Sequence, residues 1–286
     1  MKSNSTHITI KFAASLLVDR DPNAHKYTYG HALLVCGSYN MPGAALLATG
    51  GALRSGCGLV TTHACKGVGT ALIANYPSAI LDSEASDVFS TLPAGLERYD
   101  VVGFGCGLGQ NEQTIRAVEQ LLISCKTLDI PLVIDADGLN ILANHKELLD
   151  LLPPDSIMTP HLGELKRLVG EWQNEEEMLN LVADLARRTK SVIVVKGPSS
   201  RIVTPDGDVY VNTTGNAGMA KGGSGDVLTG LITGLRARGY NSLNAAILGV
   251  WIHGFAGDKA SDCLGQEAMN SADLIDFLAD GFMELE

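Results

Sequence analysis

The sequence of 286 residues has no run of about 18 or more uninterrupted apolar residues, so we expect no membrane span. Its amino end, MKSNSTHITIKF, is polar and lacks the apolar core that a signal peptide carries. The chain also has no Pro/Ser-rich run, low-complexity tract, long charge block or repeat that indicates a linker. We therefore predict a single domain over residues 1–286, located in the cytoplasm.

Cysteine motifs typical of metal or redox sites are missing as well. The six cysteines form no CxxC pair, and no histidine accompanies them at the spacing of a zinc site. Scattered thiols of this kind are typical of reduced, buried cysteines in a cytosolic protein. A catalytic thiol is disfavoured, because no His-bearing motif flanks any of the six.

Basic residues are in the minority. The chain has 21 Lys and Arg residues against 32 Asp and Glu residues, which gives a formal net charge of -11. This balance repels a phosphate-rich polymer, so we expect no nucleic-acid partner. A local basic spot remains compatible with a small anionic ligand.

Short apolar runs alternate with helical patterns along the chain. Six near-continuous apolar runs predict strands that are buried on both faces of a parallel sheet. They cover 31–36, 58–63, 100–104, 131–135, 156–159 and 192–196. A hairpin is predicted next, because RIVT at 201–204 and DVYVN at 208–212 flank the turn-forming sequence Pro-Asp-Gly.

Helical periodicity fills most of the remaining chain. The predicted helices cover 43–56, 111–125, 138–150, 174–189, 225–238, 242–261 and 271–284. The β-α order predicts an α/β fold with a mostly parallel central sheet and helices on both faces. Ligands bind such sheets beyond the carboxyl ends of the strands, so we expect the chemistry in the loops that follow each strand.

The segment TTGNAGMAKGGSGD, which ends at Asp226, is dense in glycine and precedes a helical pattern. Glycine lets backbone amides approach a ligand closely, and unpaired amides at a helix start favour an anion. At that start, the Asp226 carboxylate can take a proton from a substrate hydroxyl while an anion hole holds the developing charge. The anion hole would consist of Gly222, Gly223, Ser224 and Gly225. The alternative is a helix cap after a tight turn, but the glycine density favours the functional interpretation.

Two familiar phosphate-binding motifs are absent. A Walker A loop needs GxxxxGK[ST], and neither Gly-Lys-Ser nor Gly-Lys-Thr occurs in the sequence. The segment GFGCGLG at 103–109 follows a predicted strand, but it does not fit the dinucleotide pattern GxGxxG. We interpret it as a strand end whose backbone passes close to a ligand.

Carboxylates follow two other predicted strands. Asp135 and Asp137 come after PLVI, where they either hold a magnesium ion or serve locally, Asp137 as a helix cap and Asp135 in a local pair. His161 and Glu164 lie three residues apart at a predicted helix start. Glu164 can orient a magnesium-bound water there, but the local sequence favours a capping box.

Lys196 ends the predicted strand VIVV. Burying its charge without a partner is costly, so we expect it to face the site and to contact phosphate. The alternative is a solvated lysine at the entry to the hairpin. Histidines without a supporting motif are interpreted as structural, namely His7, His25, His31, His63, His145 and His253.

Together these loops resemble one family, the ADP-dependent (S)-NAD(P)H-hydrate dehydratases of the ribokinase-like superfamily. The resemblance runs from about residue 26 to the carboxyl end. It is carried by KYTYGHALLVCGSYNMPGAALLATGGALRSGCGLV (26–60), NYPSAILD (75–82), DVVGFGCGLG (100–109), VIDADGLN (133–140), TPHLGE (159–164), VVKG (194–197) and NTTGNAGMAKGGSGDVLTG (212–230). Many relatives carry an epimerase domain in front, whereas only about 25 residues precede the match here. The resemblance therefore implies a standalone dehydratase folded as a ribokinase-like three-layer sandwich.

The resemblance also implies a repair reaction. Reduced nicotinamide cofactors become hydrated across a ring double bond, and the family restores NADH or NADPH from the S form with ADP, or with ATP in some members. Hydroxide leaves poorly, whereas phosphate leaves readily as the ring nitrogen pushes electrons in. The implied enzyme, a hydro-lyase, phosphorylates the ring hydroxyl and then eliminates phosphate, and AMP is released.

The family pattern assigns roles to residues of this sequence. Asp226 is implied as the catalytic base, and Mg²⁺ near Asp137 and Glu164 neutralises charge on the nucleotide phosphates. Contacts to the hydrated cofactor are implied for Ala45, Gly107, His161 and Asp226. Contacts to the adenine nucleotide are implied for Lys196, Gly197, Pro198, Ser199, Ser200 and Gly225.

The sequence also bears on the oligomeric state and on two alternative functions. The resemblance implies a homotetramer that works beside a separate NAD(P)H-hydrate epimerase. A kinase of the same fold, acting on a thiazole or pyrimidine vitamin precursor, would share the glycine-rich loop, but TPHLGE and GSYNMPGA favour the dehydratase. A nucleotide sensor without turnover is the other alternative, which the intact Asp226, Lys196 and Glu164 disfavour.

Overall fold

A ten-stranded sheet forms the centre of the protein. The computed structural model describes residues 5–286. Its strands are β1 (Thr6–Ile8), β2 (His31–Val35), β3 (Leu59–Ala64), β4 (Ile80–Ser83), β5 (Val101–Phe104), β6 (Leu132–Ile134), β7 (Ile157–Met158), β8 (Val192–Val195), β9 (Arg201–Val203) and β10 (Val209–Asn212). They lie in the order β1-β10-β9-β8-β7-β6-β5-β2-β3-β4. Only β9 runs antiparallel to its neighbours, β8 and β10, so the predicted mostly parallel sheet and its hairpin are confirmed.

Ten α-helices are described between residues 5 and 286. They are α1 (Ile10–Leu16), α2 (Pro42–Leu53), α3 (Val68–Asn75), α4 (Glu112–Leu128), α5 (Ala136–Asn144), α6 (Leu162–Val169), α7 (Glu175–Thr189), α8 (Ser224–Ala237), α9 (Ser242–Leu264) and α10 (Ser271–Leu285). Over this part of the chain, no helix combines the length and apolar character needed to cross a membrane.

Asparagine begins four of the longer helices. A side-chain oxygen of each accepts a hydrogen bond from a backbone N–H of the first turn, which satisfies a donor that the helix itself leaves unpaired. These residues are Asn111 before α4, Asn174 before α7, Asn241 before α9 and Asn270 before α10. Helix α8 differs, because it follows Gly223 and has no side-chain cap.

Alternate residues of each strand face opposite layers of helices. In β2, Leu33 and Val35 belong to a core that α4, α5, α6 and α7 complete. Ala32 and Leu34 face the other side, where α1, α2, α8, α9 and α10 supply the apolar contacts. Helices therefore cover both faces of the sheet, as the sequence predicts.

Helices α2 and α8 pack with their backbones in contact. A Cβ atom at Gly51 would overlap the carbonyl group of Val227, and one at Gly230 would overlap the backbone of Ala48. Only glycine permits so close an approach. Because α2 follows β2 directly, its start lies at the carboxyl edge of the sheet, and the same edge receives the start of α8.

The structure adds elements that the sequence patterns do not predict. Strands β1 and β4 and helices α1 and α3 were missed, and they are short, with three to eight residues each. The helix start predicted at His161 is confirmed as the start of α6, whose extent was not predicted. The helix predicted over 138–150 is wrong beyond Asn144, because His145 interrupts it and a 3-10 helix follows at Lys146–Leu151. The other predicted helices are confirmed, with ends shifted by up to three residues.

Candidate active site

A cavity of about 860 Å³ opens at the carboxyl edge of the sheet. It lies where β6, β7 and β8 end and α8 begins, and α/β sheets bind their ligands at this edge. Its volume suits a small organic ligand or a nucleotide. Among the predicted site residues, its lining includes His161, Glu164, Lys196, Gly197, Pro198, Ser200, Gly223, Ser224, Gly225 and Asp226.

The glycine-rich turn brings unpaired backbone amides to this cavity. Gly223 has a φ angle of +97°, which favours glycine, and α8 begins at the next residue. Over residues 5–286, no hydrogen-bond acceptor pairs with the N–H groups of Gly225 and Asp226. Such amides, at the positive end of the helix dipole, favour a bound anion. The Ser224 N–H, a member of the predicted anion hole, donates to the Lys221 carbonyl over 3.4 Å instead. The geometry therefore supports the predicted anion hole in part, and anion binding there stays a prediction.

Side chains outside the turn hold it in place. The Lys221 ammonium donates hydrogen bonds to the carbonyl groups of Gln266, Glu267 and Met269. The Ser271 hydroxyl donates to the Gly222 carbonyl over 2.6 Å. The segment that follows α9 therefore fixes the loop before α8, and the amides do not depend on a ligand for their orientation.

Asp226 is a partly buried carboxylate beside these amides. Burial raises its pKa to about 6, and the negative charge of Asp135 acts in the same direction. The nearby ammonium of Lys196 forms its ion pairs with other carboxylates, at Asp135 and Glu164. A carboxylate with a pKa near neutrality is suited to accept a proton from a hydroxyl group.

Lys196 lines the cavity directly below the glycine-rich turn. A methyl group on Gly225 would lie 3.2 Å from its Nζ atom. Nζ donates to Asp135 Oδ1 over 2.5 Å, and the Thr229 hydroxyl donates to Asp135 Oδ2 over 2.9 Å. Burial lowers the pKa of Lys196, but the carboxylates of Asp135 and Glu164 outweigh this and raise it overall. The predicted contact with phosphate stays a prediction, and Asp135 is the partner that the sequence patterns did not identify.

His161 and Glu164 form the capping box that the local sequence favours, which confirms that interpretation. His161 Nδ1 accepts from the N–H groups of Gly163 and Glu164, at 2.9 and 3.3 Å. Glu164 Oε2 accepts from the His161 N–H over 2.8 Å. Burial raises the pKa of Glu164, Lys196 opposes this shift and Asp135 adds to it. The capping box leaves the His161 ring about half exposed, facing the cavity.

Asp137 does not cap α5, since Asp135 occupies the capping position. Its carboxylate accepts from the Gly109 N–H at 2.9 Å and from the Gln110 amide at 3.2 Å, which joins α5 to the loop after β5. Within residues 5–286, no three His, Cys, Asp or Glu side chains form a metal-binding group. Magnesium commonly takes one or two carboxylates together with phosphate oxygens. Glu164 lines the cavity and Asp137 does not, so the magnesium contact assigned to both stays a prediction.

Two predicted contacts to the hydrated cofactor lie outside the cavity lining. Ala45 is fully buried, and its methyl group packs against Gly37. Gly107, with a φ angle of +63°, packs against Met41. Ala45 lies in the first turns of α2 and Gly107 in the loop after β5, close to the loop after β2, where Tyr39 and Met41 are exposed. Their contact with a ligand stays a prediction.

The loop after β8 joins the site through its backbone. The Lys196 N–H donates to the Pro160 carbonyl over 2.8 Å, which ties this loop to the one that carries His161. The Ser200 hydroxyl bonds back to Gly197 and closes the turn. Gly197, Pro198 and Ser200 line the cavity, whereas Ser199 and the first anion-hole residue, Gly222, do not.

Further lining residues were not predicted. Asn212 and Thr214 lie in the cavity wall and are hydrogen-bonded to each other. Both fall in the segment NTTGNAG, so its polar residues were a usable signal. His253 was interpreted as structural, and it lies in the middle of α9 without a local motif. Burial lowers the pKa of His253 to about 4, so its imidazole is neutral where it meets the cavity.

Comparison with known proteins identifies the family. A family model described as NAD(P)H-hydrate dehydratase matches residues 32–279. The bifunctional NAD(P)H-hydrate repair enzyme of Moorella thermoacetica is 39% identical over 285 residues, which covers 96% of this chain. This chain spans about half the length of that relative, at 53%.

Solved structures give the same answer. The ADP/ATP-dependent NAD(P)H-hydrate dehydratase of Bacillus subtilis, co-crystallised with ATP and Mg²⁺, is 31% identical with a TM-score of 0.81, and the match covers 99% of each chain. A ribokinase-like superfamily protein of Enterococcus faecalis, 24% identical, superposes with a TM-score of 0.84 over 98% of this chain and 96% of its own. The predicted ribokinase-like fold is confirmed. The chain belongs to the NAD(P)H-hydrate dehydratase family.

Proposed function

We propose that the protein dehydrates the S form of hydrated NADH or NADPH with ADP as phosphoryl donor. The products are NADH or NADPH, AMP and phosphate. The observation that carries this proposal is the position of Asp226 beside unpaired amides at the start of α8. The choice of substrate rests on family membership and on the ADP/ATP-dependent relative from Bacillus subtilis.

The first step is transfer of a phosphoryl group. Asp226 accepts the proton of the ring hydroxyl, and the hydroxyl oxygen attacks the terminal phosphorus of ADP. The bond from this phosphorus to the bridging oxygen breaks, and AMP leaves with that electron pair. The backbone N–H groups of Gly225 and its neighbours in the anion hole stabilise the negative charge on the phosphoryl oxygens. A pKa of about 6 keeps Asp226 mostly ionised at pH 7 and makes it a stronger base than a solvated aspartate.

The second step is elimination. The ring nitrogen supplies electrons, the bond between carbon and the ester oxygen breaks, and phosphate leaves. Loss of a proton from the adjacent ring carbon restores the double bond of NADH or NADPH. The phosphoryl group is thus consumed to turn a hydroxyl into a good leaving group.

The nucleotide is assigned to the loop after β8 and to the glycine-rich turn. Lys196 lies next to Gly225, and its ion pair with Asp135 favours the charged ammonium. Gly197, Pro198 and Ser200 form the adjoining cavity wall. Asp137 and Glu164 would hold magnesium together with the nucleotide phosphates. When bound, that ion neutralises part of the phosphate charge.

Assembly and location are part of the same proposal. Residues 1–286 act as one domain, supported by the single sheet that runs from β1 to β4. The active form is a homotetramer in the cytoplasm that receives its substrate beside a separate epimerase. Light scattering on the purified protein measures the assembly directly, and a monomer at working concentrations would contradict it.

The proposal is tested by mixing the purified protein with hydrated NADH and either ADP or ATP, each with Mg²⁺. We expect the absorbance band of reduced nicotinamide to appear at the rate at which phosphate is released, with ADP as the better donor. The matched control omits the nucleotide, and a second control replaces hydrated NADH with NADH itself.

Two outcomes would contradict the proposal in different ways. A stable phosphorylated product without recovery of the NADH band would indicate a kinase of the same fold. Nucleotide binding without phosphate release, with NADH hydrate and with thiazole or pyrimidine alcohols alike, would indicate a nucleotide sensor.

A further inference from the structure

A second cavity, of about 520 Å³, lies at the amino edge of the sheet, away from the candidate active site. It is formed where α1, α2 and α8 end. Three arginines contribute to its lining, namely Arg20, Arg54 and Arg238, and Leu17 and Phe282 supply apolar wall. The chain as a whole is acidic, with a formal net charge of -11, so a concavity lined by three cationic side chains differs from the average surface.

Two of these guanidinium groups converge. A Cβ atom on Gly56 would lie 3.2 Å from Arg20 Nη1 and 3.3 Å from Arg238 Nη1. The Arg20 guanidinium stacks over the ring of Tyr29 at 3.9 Å, and Arg238 lies 5.8 Å from the same ring. Two positively charged side chains therefore lie against the same aromatic ring and beside the same glycine.

The two converging groups have no carboxylate partner within 4.0 Å anywhere in residues 5–286. Arg20 donates to the Gly56 carbonyl over 3.0 Å, and Arg238 donates to the Val18 carbonyl over 2.7 Å. These bonds orient each guanidinium and leave its other N–H groups available. Asp19 and Glu286 also line the cavity, but neither forms an ion pair with these two groups.

A simpler account covers only part of this arrangement. Arg54 and Arg238 follow the carboxyl ends of α2 and α8, where the helix dipole favours a cation. Arg54 also has an exposed partner, Asp276, at 3.6 Å. The dipole does not explain Arg20, which lies beyond α1 and is brought to Arg238 by its bond to Gly56. Carbonyl groups and the rings of Tyr29 and Tyr240 contact the two guanidinium groups, but no negative charge pairs with them within 4.0 Å in residues 5–286, so an anion would complete the arrangement.

We propose that this cavity binds a small phosphate monoester, whose dianionic head lies between Arg20 and Arg238. Guanidinium groups bind phosphate oxygens in pairs, and two of them match the charge of a dianion. The apolar wall at Leu17 and Phe282 receives the organic part of the ester. The cavity volume lies within the range of small-molecule sites. This site does not depend on the function proposed above.

The test observes the arginines directly. The Nε–H signals of ¹⁵N-labelled arginine side chains are followed by NMR during titration with phenyl phosphate, and separately with inorganic phosphate, at constant ionic strength. No arginine lines the candidate active site, so phosphate bound there does not enter the measurement. Arg20→Gln and Arg238→Gln assign the signals, and Arg116→Gln is the matched control, since Arg116 pairs with Glu112 on the surface of α4.

We expect the Arg20 and Arg238 signals to shift together and to saturate with one dissociation constant, tighter for phenyl phosphate than for inorganic phosphate. Each Gln variant should weaken binding at the remaining arginine by at least about tenfold, and R116Q should leave it unchanged. Shifts that grow without saturation, or that Arg116 shares, would overturn the site. Equal affinity for both probes would overturn the assignment to an ester. Recovery of the NADH band by R20Q and R238Q in phosphate-free buffer at the parent rate separates this site from the dehydratase.

Discussion

Asp135 and Asp226 are carboxylates at the same edge of the sheet with opposite surroundings. Asp135 is fully buried and receives hydrogen bonds from Lys196 and Thr229. Asp226 is partly buried and forms no ion pair within 4.0 Å in residues 5–286. Burial raises its pKa to about 6, although the charge of Lys196 acts in the opposite direction. The first carboxylate contacts a cation directly, whereas the second has no ion-pair partner within 4.0 Å among residues 5–286.

The different surroundings of the two carboxylates indicate different roles: Asp135 supports the structure of the site, and Asp226 is available for reaction. A buried ion pair holds its members in place, and removing one member leaves an uncompensated charge. A carboxylate without a direct ion pair keeps a raised pKa when burial outweighs the charge of a nearby cation. Surroundings that shift the pKa values of two carboxylates in different directions indicate separate roles. The predictions below test whether Asp135 and Asp226 divide their roles in this way.

The largest effect is expected from breaking the ion pair. Lys196→Met leaves Asp135 buried without its cation, so the free energy of unfolding should fall by about 3–5 kcal/mol. Denaturant titration measures this loss. Lys11→Met, on the exposed surface of α1, is the matched control and should stay within about 0.5 kcal/mol of the parent. A small decrease in the free energy of unfolding for Lys196→Met would show that Asp135 does not need a cationic partner.

Removal of the proposed base comes next. Asp226→Asn should lower kcat by at least about 100-fold, or about 2.7 kcal/mol, and leave nucleotide affinity nearly unchanged. Steady-state kinetics and calorimetric titration with ADP measure the two quantities. Asp262→Asn, an exposed change on α9, is the control. Near-normal turnover in Asp226→Asn would remove this residue from the chemistry.

The same substitution should stabilise the fold. The pKa of Asp226 is about 6 in the folded state and lies near 3.9 in an unfolded chain, so the ionised form costs stability. The favourable contribution of the neutral acid is complete below about pH 4 and is lost as the pH rises through 6. Asp226→Asn should therefore gain up to about 3 kcal/mol over the parent at pH 8 and little at pH 4. A loss of stability at pH 8 would contradict the raised pKa.

The smallest expected effect is in the pH profile. Because Asp226 must be ionised to accept a proton, kcat/KM should fall about tenfold per pH unit below pH 6 and level off above it. Initial rates measured across this range, with stability checked at each pH, give the profile. An acidic limb centred near pH 4 would show that burial does not perturb this carboxylate during turnover.

Local signals made Asp226 predictable before the structure was known. Its glycine-rich approach and the helical pattern after it indicate an unpaired helix start, and both lie within a few residues of sequence. Lys196 was predictable as a residue facing the site, because it ends a buried strand. The identity of its partner was not, because Asp135 lies 61 positions away and meets it only through the order of β6, β7 and β8.

Other features left weak traces in the sequence. Strand β4 is a half-exposed edge of four residues, with Ile80 43% exposed, so it has no continuous apolar run. Helix α6 has eight residues, and its capping box was visible although its extent was not. His253 reaches the cavity from the middle of a 23-residue helix, and only the packing of α9 reveals it.

The contact between α2 and α8 constrains how the protein can close on its ligands. Glycine backbones meet at Gly51 and Gly230, so no side-chain layer separates these helices there, and we expect little sliding between them. Met41 directly precedes α2 and Asp226 lies in the first turn of α8, so this contact sets the distance between them. Any closing motion is therefore left to the loop after β8, since Lys221 and Ser271 hold the turn before Gly223 in place.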